Sequence, residues 1–185
     1  MPLANVFAPM GYRLYLAGAK RGFITRRRPV QAARTQTASA VTTLLTAGDC
    51  YTIDASGFAK HAGNADTVRG VVVGIELAAV STVMNGMGPV SADLLTQAMA
   101  GNIIGCEDPL AEFFTLANSY AASNNGNKFN LLDVADDQTF RQSRQYLDVA
   151  GGAGTQFTLI DMVSSPANNS AGANAIVKVK LATPY

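Results

Sequence analysis

The segment "NAIVKVKLAT" (174–183) sets the tightest limit on what this chain can fold into. Its side chains alternate, with Val177, Val179 and Leu181 on one face and Ile176, Lys178 and Lys180 on the other. A period of two is that of a β-strand with one face buried. The same texture recurs along the chain. "RGVVVGIEL" (69–77) is β-branched and too continuous for a solvent-facing edge. "AGDCYTIDASGFAKHAG" (47–63) reads as a hairpin: Cys50–Ile53 runs out, "DASG" (54–57) turns and "FAKH" returns. "NIIGCEDPLAEFFTLA" (102–117) reads as strand, turn, strand, with Asp108-Pro109 at the corner. "SYAASNNGNKFN" (119–130) is a turn-rich loop, and "RQYLDVAGGAGTQFTLIDMV" (144–163) is two strands around a glycine-rich link.

Several short strands separated by glycine and asparagine turns predict a mainly β protein. The expected body is a compact β-barrel or β-sandwich over residues 41–185. One short helix is expected at "SADLLTQAMAG" (91–101), capped by Ser91 and ended by Gly101. Residues 1–40 read differently. Pro2, Pro9 and Pro29 remove backbone donors, and Gly11, Gly18 and Gly22 break what remains, so an extended N-terminal arm is expected there.

Charge separates the two parts. Residues 1–48 hold seven basic and no acidic side chains, which leaves seven basic against thirteen acidic in the rest, a net of −6. The arm is therefore basic and the body acidic. Its arginines, Arg13, Arg21, Arg26, Arg27, Arg28 and Arg34, outnumber its one lysine, Lys20, as suits bidentate pairing with carboxylates. They are the candidate binding residues, with Arg26, Arg27 and Arg28 foremost. The rival expectation is that the arm packs on the acidic body of its own subunit. Only 15% of residues are charged, fewer than on an average soluble surface, which suggests that part of the surface is covered.

Catalytic patterns are scarce. Neither a phosphate-cradling Gly-x-x-x-x-Gly-Lys nor a Gly-x-Ser-x-Gly turn occurs. His61 is the sole histidine and follows a turn, where a solvated imidazole is expected. Glu107-Asp108 and Asp136-Asp137 are adjacent pairs, which point to opposite faces in a strand, and solvated turn charges are the expectation. No catalytic residue, metal or cofactor is expected. Cys50 and Cys106 form neither a disulfide framework nor a zinc pattern and are expected free and buried. The start "MPLANVFAPM" lacks a secretory signal pattern, and the most apolar run (71–84) is too short to span a bilayer, so a soluble protein is expected. Nucleic acid is disfavoured as a ligand, because the body is acidic and the arm lacks interleaved aromatics.

The start "MPLANVFAPMGYRLY", the hairpin "AGDCYTIDASGFAKHAG" followed by "VRGVVVGIEL", the segment "GCEDPLAEFF" and the ending "TQFTLIDMVSSPANNSAGANAIVKVKLATPY" together resemble the cement, or head-decoration, proteins of tailed bacteriophages. The resemblance covers most of the chain and is one of layout more than of an invariant motif. Residues 80–101 depart from it. It implies a non-enzymatic virion protein, made in the host cytoplasm and bound to the outside of an icosahedral head. There it would hold major capsid proteins together, often as a dimer or trimer. The alternatives are a neck or tail component of a phage, or a cellular non-catalytic binding module.

Overall fold

The computed structural model describes residues 11–15, 24–30, 45–76, 83–84, 102–132, 143–164 and 169–182. The expected helix at 91–101 lies outside them, as do Arg21, Arg34 and Asp136-Asp137. The described chain is mainly β and carries twelve strands. These are β1 (Arg13–Leu14), β2 (Thr25–Pro29), β3 (Cys50–Ile53), β4 (Ala59–His61), β5 (Gly70–Glu76), β6 (Val83–Met84), β7 (Asn102–Cys106), β8 (Glu112–Ala117), β9 (Lys128–Leu132), β10 (Tyr146–Asp148), β11 (Phe157–Met162) and β12 (Ala175–Leu181). A 3-10 turn at Ala122–Asn124 precedes β9.

Two sheets divide these strands. In the first, β8, β10, β9, β11 and β12 follow one another, and β12 pairs back onto β8, which closes a five-stranded barrel. Closure removes the open edges that a flat sheet would expose. The alternation in "NAIVKVKLAT" explains the inward face: Val177, Val179 and Leu181 are buried, whereas Lys180 is exposed. Phe113, Phe129, Leu147 and Phe157 fill the barrel from the other strands. Tyr12, just before β1, stacks on Phe157 with ring centroids 4.5 Å apart. β1 continues that contact by pairing antiparallel with β8, Arg13 opposite Phe114.

The second sheet runs β2-β7-β5-β3-β4, with β6 paired to β5. It is rolled, because Val30, just past β2, bridges Ala59 of β4 at the far side of the sheet. The expected hairpin is present as β3 and β4. Asp54 Oδ1 accepts from the backbone N–H of Ser56 and Phe58, and Gly57 takes a φ of 87° in the turn. "RGVVVGIEL" is indeed an interior strand, β5, with partners on both sides. The Asp108-Pro109 corner also forms, but β7 and β8 do not pair: the corner carries the chain from the rolled sheet into the barrel. The two strands around the glycine-rich link, β10 and β11, both pair with β9, which lies between them. β9 itself begins inside the segment expected to be loop.

The sheets meet in one apolar cluster, and the rolled sheet carries a second of its own, of Leu45, Tyr51, Ala59, Val72 and Ile103. Cys50, Val71 and Cys106 of the rolled sheet pack in the same apolar cluster as the barrel side chains. Both cysteines are buried and form no disulfide, as expected. They pair with opposite edges of Val71, so two ladder spacings of about 4.8 Å separate them. That exceeds the roughly 7 Å Cα limit for a disulfide. Two buried glutamines join the sheets with polar contacts. Gln145 Oε1 accepts from Cys50 N–H at 2.6 Å, while its Nε2 donates to the Ala62 carbonyl. Gln156 Oε1 accepts from Leu131 N–H, and its Nε2 donates to the Gly63 and Asp66 carbonyls.

Candidate functional site: an arginine-lined cleft

The described parts of the expected arm are strands of the sheets, not a free extension. β2 pairs antiparallel with β7 along its length, Thr25 opposite Cys106 and Pro29 opposite Asn102. Strand geometry then sorts the three consecutive arginines. Arg26 and Arg28 share one face, and Arg27 takes the other. Arg26 and Arg27 are exposed. Arg27 lies against Asn102; with that amide turned so that its oxygen faces the guanidinium, the oxygen accepts from Nε and Nη2 at 3.2 and 3.3 Å.

Arg28 turns inward. Its Nε and Nη2 donate to the two carboxylate oxygens of Glu107 at 2.6 and 2.8 Å, a bidentate pair. Tyr51 Oη donates to Glu107 Oε1 at 2.7 Å, and Arg69 Nε donates to Oε2 at 3.3 Å. One carboxylate thus organises two arginines and a tyrosine. Burial by itself would raise the Glu107 pKa. The hydrogen bonds from Arg28 and Tyr51, with the charges of Arg28 and Arg69, outweigh it and hold the carboxyl below its ordinary value. Burial, and then the bond to Glu107, push the Tyr51 phenol far up, so it stays a neutral donor. The bond to Glu107 raises Arg28 further.

Glycine makes this arrangement possible. The Tyr51 side chain is fully buried and crosses β5 and β7 over Gly70 and Gly105 to reach Glu107. A Cβ at Gly105 would overlap the Tyr51 Oη and ring carbons. Two strand glycines therefore form the trough in which the phenol lies.

Above this network is an open cleft of about 370 Å³, lined by Arg28, Thr52, Ile53, Thr67 and Arg69. Arg28 and Arg69 remain 27% and 33% exposed there, whereas the Glu107 side chain is 5% exposed. Arg13 stands apart from the cleft on β1. It is half buried, and desolvation lowers its pKa against the opposing charge of Asp49. Among the described residues, Arg26–Arg28 lie together on β2, whereas Arg13 lies on the barrel sheet.

Two sequence expectations are corrected. Glu107 and Asp108 are not solvated turn charges. Asp108 is fully buried, accepting from the backbone N–H of Ile24 and Leu110, and Glu107 is buried under the cleft. Both lie just past the end of β7, outside any strand, and both are covered. His61 is not solvated either, its side chain being 9% exposed. Gln145 Nε2 lies 3.2 Å from His61 Nε2. The Gln145 oxygen accepts from Cys50, so its amide nitrogen is the group that faces the ring. The Asp49 Oδ1 is 3.8 Å from the same ring nitrogen. Sequence reading also missed Tyr51 and Arg69. The one available signal was a tyrosine in a strand flanked by strands that carry glycine.

Among the described residues no group of three or more His, Cys, Asp or Glu could hold a metal ion, and no helix is long and apolar enough to cross a membrane. Comparison with protein-family models, with curated proteins and with solved structures found no match.

Proposed function

We propose that this chain is a non-enzymatic structural protein of a phage virion, a cement protein that binds the outside of an icosahedral head and braces contacts between major capsid proteins. The observation that carries the reading is strand β2. It presents Arg26 and Arg27, both exposed, on an extended backbone at the edge of the rolled sheet. Such an edge offers cationic side chains at fixed spacing to an acidic shell. It also suits a protein that acts by contact, since an exposed ion pair contributes only about 0.2–1 kcal/mol and many copies must act together. The resemblance in layout to head-decoration proteins supports the same reading. Self-association as a dimer or trimer would multiply the contacts.

The test adds the purified protein to undecorated heads and measures co-sedimentation and thermal resistance. Binding with raised resistance is expected, and Arg26→Ala/Arg27→Ala should weaken binding while leaving the fold intact. If the protein does not bind heads at physiological salt, the cement role is lost.

A further inference from the structure

We propose that Asn125-Gly126 is a latent deamidation site that the folded chain holds shut, so that its modification records the opening of β11 from the turn before β9.

The turn itself calls for this dipeptide. It joins the 3-10 turn at Ala122–Asn124 to β9, and Gly126 takes a φ of 82° there, a left-handed conformation that favours glycine. Nothing lies within 4 Å of where a Cβ would stand, so conformation rather than space demands the glycine. A glycine leaves its own nitrogen unshielded, and that nitrogen can attack Cγ of the preceding asparagine. A Cγ–N bond forms, the Cγ–Nδ2 bond breaks, and the Gly126 N–H proton leaves with the amide as ammonia. Water then opens the cyclic imide at either carbonyl, giving an aspartyl or an isoaspartyl link. Asn125 and Gly126 are both exposed, so water reaches them, and exposure alone predicts fast reaction.

Three features of the fold oppose it. The first is a pair of backbone bonds. Gly126 N–H donates to the Leu159 carbonyl at 2.8 Å, and Leu159 N–H donates back to the Asn127 carbonyl at 3.0 Å. The attacking nitrogen must give up its proton, so it must first leave that bond. Leu159 is fully buried in the barrel, which fixes its carbonyl through the packing of β11. The second is the extended backbone of Asn125, with φ −60° and ψ 135°. Ring closure needs Cβ and the Gly126 nitrogen on the same side of the Cα–C bond, and this ψ turns the nitrogen away. The third is the side chain. Asn125 Nδ2 donates to Asp161 Oδ1 at 3.2 Å. The Tyr120 hydroxyl lies 3.1 Å from Asn125 Oδ1 and 3.2 Å from Asp161 Oδ1. An ionised carboxylate only accepts, which settles how the amide faces.

The products cannot restore these contacts. The aspartyl product sets a second carboxylate against Asp161. The isoaspartyl link carries the main chain through Cβ, one atom longer, and spoils the register of both bonds to Leu159.

The experiment incubates the whole protein at mildly alkaline pH, with the free peptide of residues 119–130 as the unstructured reference. Peptide mapping by mass spectrometry follows deamidation and keeps Asn125 apart from Asn85-Gly86, a second such pair outside the described residues. Asn125 should react at least about tenfold more slowly in the folded protein than in the peptide, because reaction waits for a local opening. Urea below the unfolding midpoint should speed Asn125 deamidation and Gly126 N–H exchange in parallel. Asp161→Ala frees the side chain but keeps the bonds to Leu159, and should raise the folded-state rate severalfold. Equal rates in protein and peptide overturn the proposal. So does a Gly126 N–H that exchanges like an unprotected amide, or deamidation that stays constant while that exchange accelerates. If the variant fails to fold, the comparison of wild-type protein with peptide still decides.

Discussion

Glu107 holds two arginines and a tyrosine, and its effect on stability has a definite sign. Its folded pKa is depressed, so its contribution is fully present above the ordinary carboxylate value of about 4.3 and is lost as pH falls through the lower folded value. Glu107→Gln should therefore cost about 2 kcal/mol at neutral pH. That is less than the roughly 3–5 kcal/mol of a fully buried pair, because Arg28 and Arg69 can regain water. In urea titrations run from pH 7 to pH 3, wild type should lose stability steeply below about pH 4.3, and the variant should lose less. Parallel pH profiles for the two proteins would show that the acid limb belongs to other carboxylates. Nothing in "GCEDPLAEFF" announces this role. The two acids look alike in sequence, and only the arrival of Arg28 from 79 positions away distinguishes Glu107.

At the scale of elements, alternation was a reliable guide and charge was not. Strands β3, β4, β5 and β12 stand where period and turn chemistry put them, because one-face burial and a glycine turn are local properties. The arm misled because Arg26, Arg27 and Arg28 show no apolar period. Yet a strand edge needs only backbone pairing, and β2 gets that from β7. The rival expectation, in which the arm packs on its own subunit, describes Arg28; Arg26 and Arg27 remain exposed. Removal of residues 1–36 should accordingly unfold the protein rather than trim it. It takes away the β1 pairing with β8, the Tyr12 stack on Phe157 and all of β2. Together these should cost more than about 5 kcal/mol, comparable with the whole stability of a small domain. A truncated chain that still melts cooperatively at the wild-type temperature would restore the free-arm picture. The expected collapse is also why point substitutions, not deletion, are the proper test of binding.

At the scale of the molecule, a barrel was legible but its partner sheet was not. Both are built from similar short strands, and the switch between them falls at a corner, Asp108-Pro109, that reads like any hairpin turn. What makes them one body is a shared core together with Gln145 and Gln156, polar residues whose burial no local pattern signals. Gln145 satisfies one donor and one acceptor of the rolled sheet from its place beside β10 of the barrel. Gln145→Leu keeps much of the side-chain volume but leaves Cys50 N–H and the Ala62 carbonyl unpaired in a dry interior. Each orphaned group costs about 1–3 kcal/mol, so a loss of about 2–6 kcal/mol is expected. If the sheets fold as a unit, that loss must appear as a lower midpoint of one transition. Hydrogen exchange should speed up alike at buried amides of β5 and of β12. Faster exchange in β5 alone, with β12 unchanged, would mean that the barrel folds without the rolled sheet and that the shared core is a docking surface between two separately stable parts.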